Sequence, residues 1–152
     1  KANHLPPAFY LLEIKSSEKK DGKEHPAPAA FLNTLMDVPE LKPLGKRLLI
    51  QSFDLRPLQV LHRRYPDMKL GFLTDDKKQG FEEHLQQLGF TPAFYNPHYG
   101  LVTPELVAKC HEKHIQIVPW TIDDVAKMKS LKAMNVDGII TDYTNRLQEA
   151  GL

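Results

Sequence analysis

Lys69-Leu70-Gly71-Phe72-Leu73-Thr74 is a short, mostly apolar run, and Phe81, Leu85 and Leu88 follow it at helical spacing until Gly89. The short run predicts a strand, the spacing predicts a helix, and glycine is a common helix terminator. The same strand-then-helix unit recurs on either side. Upstream, Tyr10-Leu11-Leu12-Glu13-Ile14-Lys15 reads as a buried strand bounded by Pro6-Pro7. The polar stretch from Ser16 to Pro28 reads as a surface loop, and Phe31, Leu32, Leu35 and Met36 as a helix that Pro39 ends. Arg47 to Phe53 is a second strand. Asp54 or Ser52 is placed to cap the helix of Leu55, Leu58 and Leu61, which closes before Pro66. Downstream, Thr91 to His98 reads as a strand or an extended connection, since Pro92 and Pro97 weaken a ladder. Thr103-Pro104-Glu105 is a helix start, and Leu106, Val107 and Cys110 form that helix's buried stripe. Ile115 to Thr121 is the next strand, and Asp123 or Asp124 opens the helix of Val125, Met128 and Leu131. Gly138 to Thr141 is a last strand before a short helix over Asn145 to Ala150. Five or six strands separated by helices predict βα units and a parallel sheet.

A length of 152 residues predicts a single domain. Hydrophobic residues at 41% and charged residues at 26% are enough for a packed core and exclude wholesale disorder. A net charge of +1 removes the electrostatic reason to expect a nucleic-acid or membrane-surface partner. A single cysteine, Cys110, excludes an intrachain disulfide framework and a cysteine-based zinc site. No apolar run approaches the ~20 residues of a membrane span. Lys1 rather than Met opens the chain, so further upstream sequence is expected, and the compartment stays open between cytoplasm and periplasm.

Polar residues gather where the strands end. Glu13 and Lys15 are two apart, hence on one face and roughly 6–7 Å from each other. Gln51 and Ser52, Thr74 and Asp75, Asn96 and His98, Trp120 and Thr121, and Thr141 and Asp142 repeat the placement. Ligand sites of barrels and open α/β sheets lie at the carboxyl ends of the strands, so this rim is the candidate site. Plainer readings stand beside it. Glu13 and Lys15 could form a structural ion pair, Trp120 could be core, and Thr141-Asp142 could cap a helix. His111 and His114 lack a third ligand and read as a solvated helix end. Lys15 to Lys23 is diluted by Glu18 and Asp21 and reads as a solvated loop.

The ordered strand ends resemble the C-terminal part of the glycerophosphodiester phosphodiesterase family. Leu12-Glu13-Ile14-Lys15 is similar to its Glu-Ile-Lys strand, Ile50-Gln51-Ser52-Phe53-Asp54 to its Ser-Phe strand, and Leu101-Val102-Thr103 to the entry of a later helix. Val118-Pro119-Trp120-Thr121-Ile122-Asp123-Asp124 and Val136-Asp137-Gly138-Ile139-Ile140-Thr141-Asp142-Tyr143 resemble the Trp-Thr-Val-Asn/Asp and Gly-Val-Asp-Gly-Ile-Ile-Thr-Asp signatures. The resemblance runs in order from Tyr10 to Leu147. It implies a (β/α)8 TIM barrel, here its C-terminal five or six βα units. It also implies metal-dependent hydrolysis of glycerophosphodiesters to glycerol 3-phosphate and an alcohol, as in phospholipid head-group breakdown. By resemblance Glu13 is a ligand of Ca2+ or Mg2+, Lys15 faces the phosphate, Trp120 packs on the glycerol moiety, and Ser52 and Phe53 line the pocket wall.

The family's early His-Arg-Gly, Glu-x-Asp and His-Asp motifs are absent from this sequence. His4 precedes Leu5-Pro6 and does not replace the first of them, and Thr144 stands where a proline is usual. A barrel of this kind needs about 250 residues. The chain alone is therefore expected to be inactive and to need an N-terminal portion as its partner. The alternative is a noncatalytic half-barrel that associates with itself or another protein, because an open sheet exposes edges and apolar surface.

Overall fold

The computed structural model describes residues 8–152. His4 and the Pro6-Pro7 boundary lie outside the described residues. The chain divides into two compact units, the first ending at Leu70 and the second beginning at Gly71.

The first unit contains β1 (Tyr10–Ile14), α1 (Pro28–Met36), β2 (Leu48–Ser52) and α2 (Leu55–Arg64). β1 and β2 are parallel, with Glu13 opposite Gln51 and Ile14 opposite Ser52. Leu32 from α1 and Leu58 and Leu61 from α2 are fully buried, as helical spacing requires of one face. Pro39 ends α1 as expected, but residues Pro39–Arg47 then form tight 3-10 turns broken at Gly45, whose φ of 50° suits glycine. α2 begins at Asp54, whose carboxylate accepts the Arg56 N–H at 3.0 Å. Ser52 does not cap it. That hydroxyl donates to the Ile14 carbonyl at 2.7 Å and ties β1 to β2.

β1 is not the buried strand expected. Tyr10 is 49% and Leu11 40% exposed, and Ile14 alone is buried. A parallel strand reads as buried when layers and neighbours cover it. Among the described residues β1 pairs with β2 alone, so its outer edge stays open.

β3 (Lys69–Thr74) begins in the last two residues of the first unit, and the second carries the rest of it with α3 (Phe81–Leu88), β4 (Phe94–Pro97), α4 (Pro104–Glu112), β5 (Gln116–Ile117), α5 (Val125–Ala133) and α6 (Leu147–Ala150). β3, β4 and β5 pair in parallel, Leu73 opposite Asn96 and Tyr95 opposite Ile117. Gly89 closes α3 at φ 76°. The Thr103 hydroxyl caps α4 through the Leu106 N–H at 3.2 Å, and Asp124, rather than Asp123, caps α5 through the Lys127 N–H at 2.8 Å. Val107 and Cys110 are buried while Leu106 is half-buried. Burial pushes the Cys110 thiol up to about 12, which leaves it protonated and inert.

Two expected strands shrink. β5 covers two residues instead of seven, and residues 138–141 form no strand. Pro119 explains both, since it lacks the N–H that would continue a ladder. The segments still run together, with the Ile140 N–H on the Pro119 carbonyl and the Ile122 N–H on the Ile140 carbonyl, each at 2.9 Å. Among the described residues five strands remain, each followed by a helix. The parallel α/β reading holds in both units.

Candidate functional site

Glu13 stands one residue before the end of β1 and Lys15 directly after that end, both exposed. A carboxylate and an ammonium so placed would ordinarily pair. Among the described residues neither has an ion-pair or side-chain hydrogen-bond partner, so the structural ion pair does not form. Instead both line a cavity of about 560 Å³ together with Ser16, Ser17, Lys20, Glu24, His25 and Phe53. That is room for a small molecule. Phe53, 43% exposed, follows β2 and supplies an apolar wall. Ser52 is fully buried and outside that lining, its hydroxyl accepting the Asp54 N–H at 3.1 Å besides donating to β1.

The far wall is the Ser16–Pro28 stretch, which is more ordered than a solvated loop. It contains a 3-10 turn at Glu18–Lys20 and a bridge between Asp21 and His25. Arg56, from the first turn of α2, grips it. The guanidinium meets Asp21 at 2.6 and 3.1 Å and Asp54 at 2.7 and 3.0 Å. The Ser16 hydroxyl adds a bond to Asp54 at 2.9 Å. These contacts fix all three charges. The Arg56 hydrogen bond, strongest of the influences on it, holds the Asp21 carboxyl below its usual range. Burial acts to raise Asp54, but the bonds from Arg56 and Ser16 outweigh it and the carboxyl is lowered too. The His25 Nε2 accepts the Ser17 N–H at 3.0 Å, so its neutral ring carries the proton on Nδ1, 2.9 Å from the Pro26 carbonyl. Lys20 pairs with Glu24 at 2.7 Å. The sequence reading passed over Lys20, Glu24 and His25; the available signal was their position in the segment directly following Glu13 and Lys15.

In the second unit the strand ends also gather polar groups. Thr74 and Asn96 are buried. Trp120 is half-buried rather than core, its indole N–H donating to the Asn96 carbonyl at 2.8 Å. The His98 ring stands edge-on to Trp120 at 5.3 Å. Thr141 and Asp142 do not cap a helix. The Thr141 hydroxyl and the Asp142 N–H both donate to Asp123 Oδ1 at 3.0 Å, closing a turn. His111 lies 3.0 Å from Asp137, an ordinary surface pair beside the end of α4.

A hard divalent cation takes six or more oxygen ligands, several of them carboxylates. Among the described residues no three His, Cys, Asp or Glu side chains converge on such a site. Glu13 alone does not fit it. No helix among the described residues is long and apolar enough to cross a membrane.

The model of the glycerophosphoryl diester phosphodiesterase family matches residues 11–146. A glycerophosphodiester phosphodiesterase of Caldanaerobacter subterraneus is 32% identical over 98 residues, which cover 64% of this chain and 39% of that protein. A crystal structure from Silicibacter pomeroyi, assigned to the glycerophosphoryl diester phosphodiesterases, superposes with a TM-score of 0.79 at 25% identity. The match takes in 93% of this chain and 49% of that one. An Oleispira antarctica phosphodiesterase in complex with the product sn-glycerol-3-phosphate shares the fold, with a TM-score of 0.71 at 18% identity over 93% of this chain and 54% of that one. The solved relatives are TIM barrels, and the five βα units correspond to part of one. The chain thus spans about two-fifths of the curated relative's length and about half of the solved ones.

Proposed function

The chain belongs to the glycerophosphoryl diester phosphodiesterase family, and from that premise we propose that it supplies the phosphoryl-binding wall of a site that hydrolyses glycerophosphodiesters to glycerol 3-phosphate and an alcohol. One observation carries the reading: an acid and an amine flank a strand's carboxyl end and line one cavity, with no partner among the described residues. Lys15 places a positive charge where the phosphoryl oxygens gain negative charge, and so favours the transition state over the ground state. Phe53 shields that contact from water, Ser52 fixes the strand that bears Glu13, and Trp120 offers a flat apolar surface to the glycerol carbons.

Glu13 is the one oxygen ligand for Ca2+ or Mg2+ that this reading draws from the described residues, so the remaining ligands come from outside them. The leaving alkoxide also needs a proton, and this reading assigns no group of the chain to give it. The chain by itself therefore binds without turning over. Titration with sn-glycerol 3-phosphate, followed by NMR, is expected to shift the amide signals of Glu13, Lys15 and Phe53. Unmoved signals there would overturn the reading, and so would metal-dependent hydrolysis of glycerophosphocholine by the chain alone.

A second reading rests on the open face of β1. Phe9, Tyr10 and Leu11 are 62%, 49% and 40% exposed along one unpaired edge, an arrangement that favours association. Sedimentation of the chain is expected to show concentration-dependent self-association that an added N-terminal barrel portion competes away. A clean monomer at every concentration would remove this reading.

A further inference from the structure

We infer that His98 is a substrate-facing group beside Trp120, donating a hydrogen bond from Nε2 to an oxygen of the glycerol phosphate. The inference rests on the function proposed above. The backbone around His98 is fixed from both sides: its N–H donates to the Thr74 carbonyl at 2.7 Å, and the next N–H, of Tyr99, to the Trp120 carbonyl at 2.9 Å. A parallel bridge joins His98 to Trp120 themselves. The side chain is thus held at the carboxyl ends of β4 and β5 whatever its chemistry.

The ring's own contacts select its tautomer. Nδ1 accepts the Gly100 N–H at 3.2 Å, which leaves the proton of the neutral ring on Nε2. Among the described residues nothing accepts from Nε2, although the ring is half-buried and packed against Tyr99 at 4.3 Å and Trp120 at 5.3 Å. Gly100 keeps the ring there, because a Cβ at that position would meet Nδ1 at 3.2 Å and Cε1 at 3.4 Å. The ammonium of Lys127, 3.1 Å from the Tyr99 hydroxyl, adds positive charge beside the same group of rings. An oriented donor, an indole and a nearby cation suit a small phosphorylated alcohol.

The rival account is that His98 only caps the 3-10 turn Tyr99–Leu101, a role that needs Nδ1 as acceptor and nothing from Nε2. His98→Asn separates the two, since its short amide still accepts the Gly100 N–H but cannot reach where Nε2 reaches. His98→Gln restores the reach of a donor. Trp120 is the only tryptophan, so its fluorescence reports ligand at this end. With sn-glycerol 3-phosphate as probe, His98→Asn is expected to weaken binding about tenfold at unchanged Tm, with His98→Gln recovering most of it. The imidazole Nε2 resonance of the unmodified chain should move on titration. Equal affinity in His98→Asn overturns the inference and leaves the proposed function standing. A response at Lys15 with none at Trp120 overturns it as well and removes Trp120 from the site. No response at either end overturns both.

Discussion

One buried polar pair sits away from the strand ends. His84 on α3 lies 2.8 Å from the Tyr95 hydroxyl on β4, inside a cluster with Phe72 and Phe81 whose rings approach to 5.3 and 5.0 Å. Burial pushes the imidazole below its usual value of 6.5 and the phenol above 10. The unfolded chain takes up the histidine's proton as pH falls through 6.5, while the folded chain resists it. Stability is therefore full above that pH and declines below it. Chemical denaturation between pH 5 and 7 should show this slope in the unmodified chain and a flatter one in His84→Gln; parallel slopes would exclude His84 as the source. None of this was legible in the sequence, where His84 looks like a polar position in a charged helix. Its burial depends on Tyr95, eleven residues away and on another element. The position of Glu13 and Lys15 at the end of β1 was legible, because a short apolar run marks the strand; their common face was not, since β1 ends at Ile14, before Lys15.

Among elements, helix boundaries followed from local chemistry and strand boundaries did not. Asp54, Thr103 and Asp124 cap their helices through bonds spanning two or three residues, a range over which sequence is informative. The lengths of β5 and of the 138–141 segment depend on which carbonyl finds which N–H across the chain, and one proline in the neighbouring segment shortens both. The Ser16–Pro28 stretch shows the same limit. Its charges look solvated in isolation, yet Asp21 meets an arginine 35 residues further on. Asp54 joins the two roles, capping α2 and anchoring Arg56. Asp54→Ala should cost about 1–2 kcal/mol in urea unfolding, at the upper end for a lost cap. It should also speed tryptic cleavage after Lys19, Lys20 and Lys23. Unchanged stability together with unchanged cleavage would show that Asp54 does not hold the cavity wall.

At the scale of the molecule, the parallel α/β class was readable because five apolar runs alternate with five amphipathic ones. The exposure of β1 was not, since burial of a strand depends on what lies beside it. Family membership and the match over residues 11–146 assign these βα units to a family of TIM barrels, of which the chain spans part of the length. The proposed function gives Lys15 the role of cation and Glu13 that of acid at one strand end. The most direct measurement is calorimetric titration of sn-glycerol 3-phosphate into the chain and into Lys15→Ala. The account predicts that removing the ammonium weakens binding about tenfold or more, as for loss of a charged hydrogen-bond partner, with Tm unchanged. Equal affinities in the two proteins would contradict it.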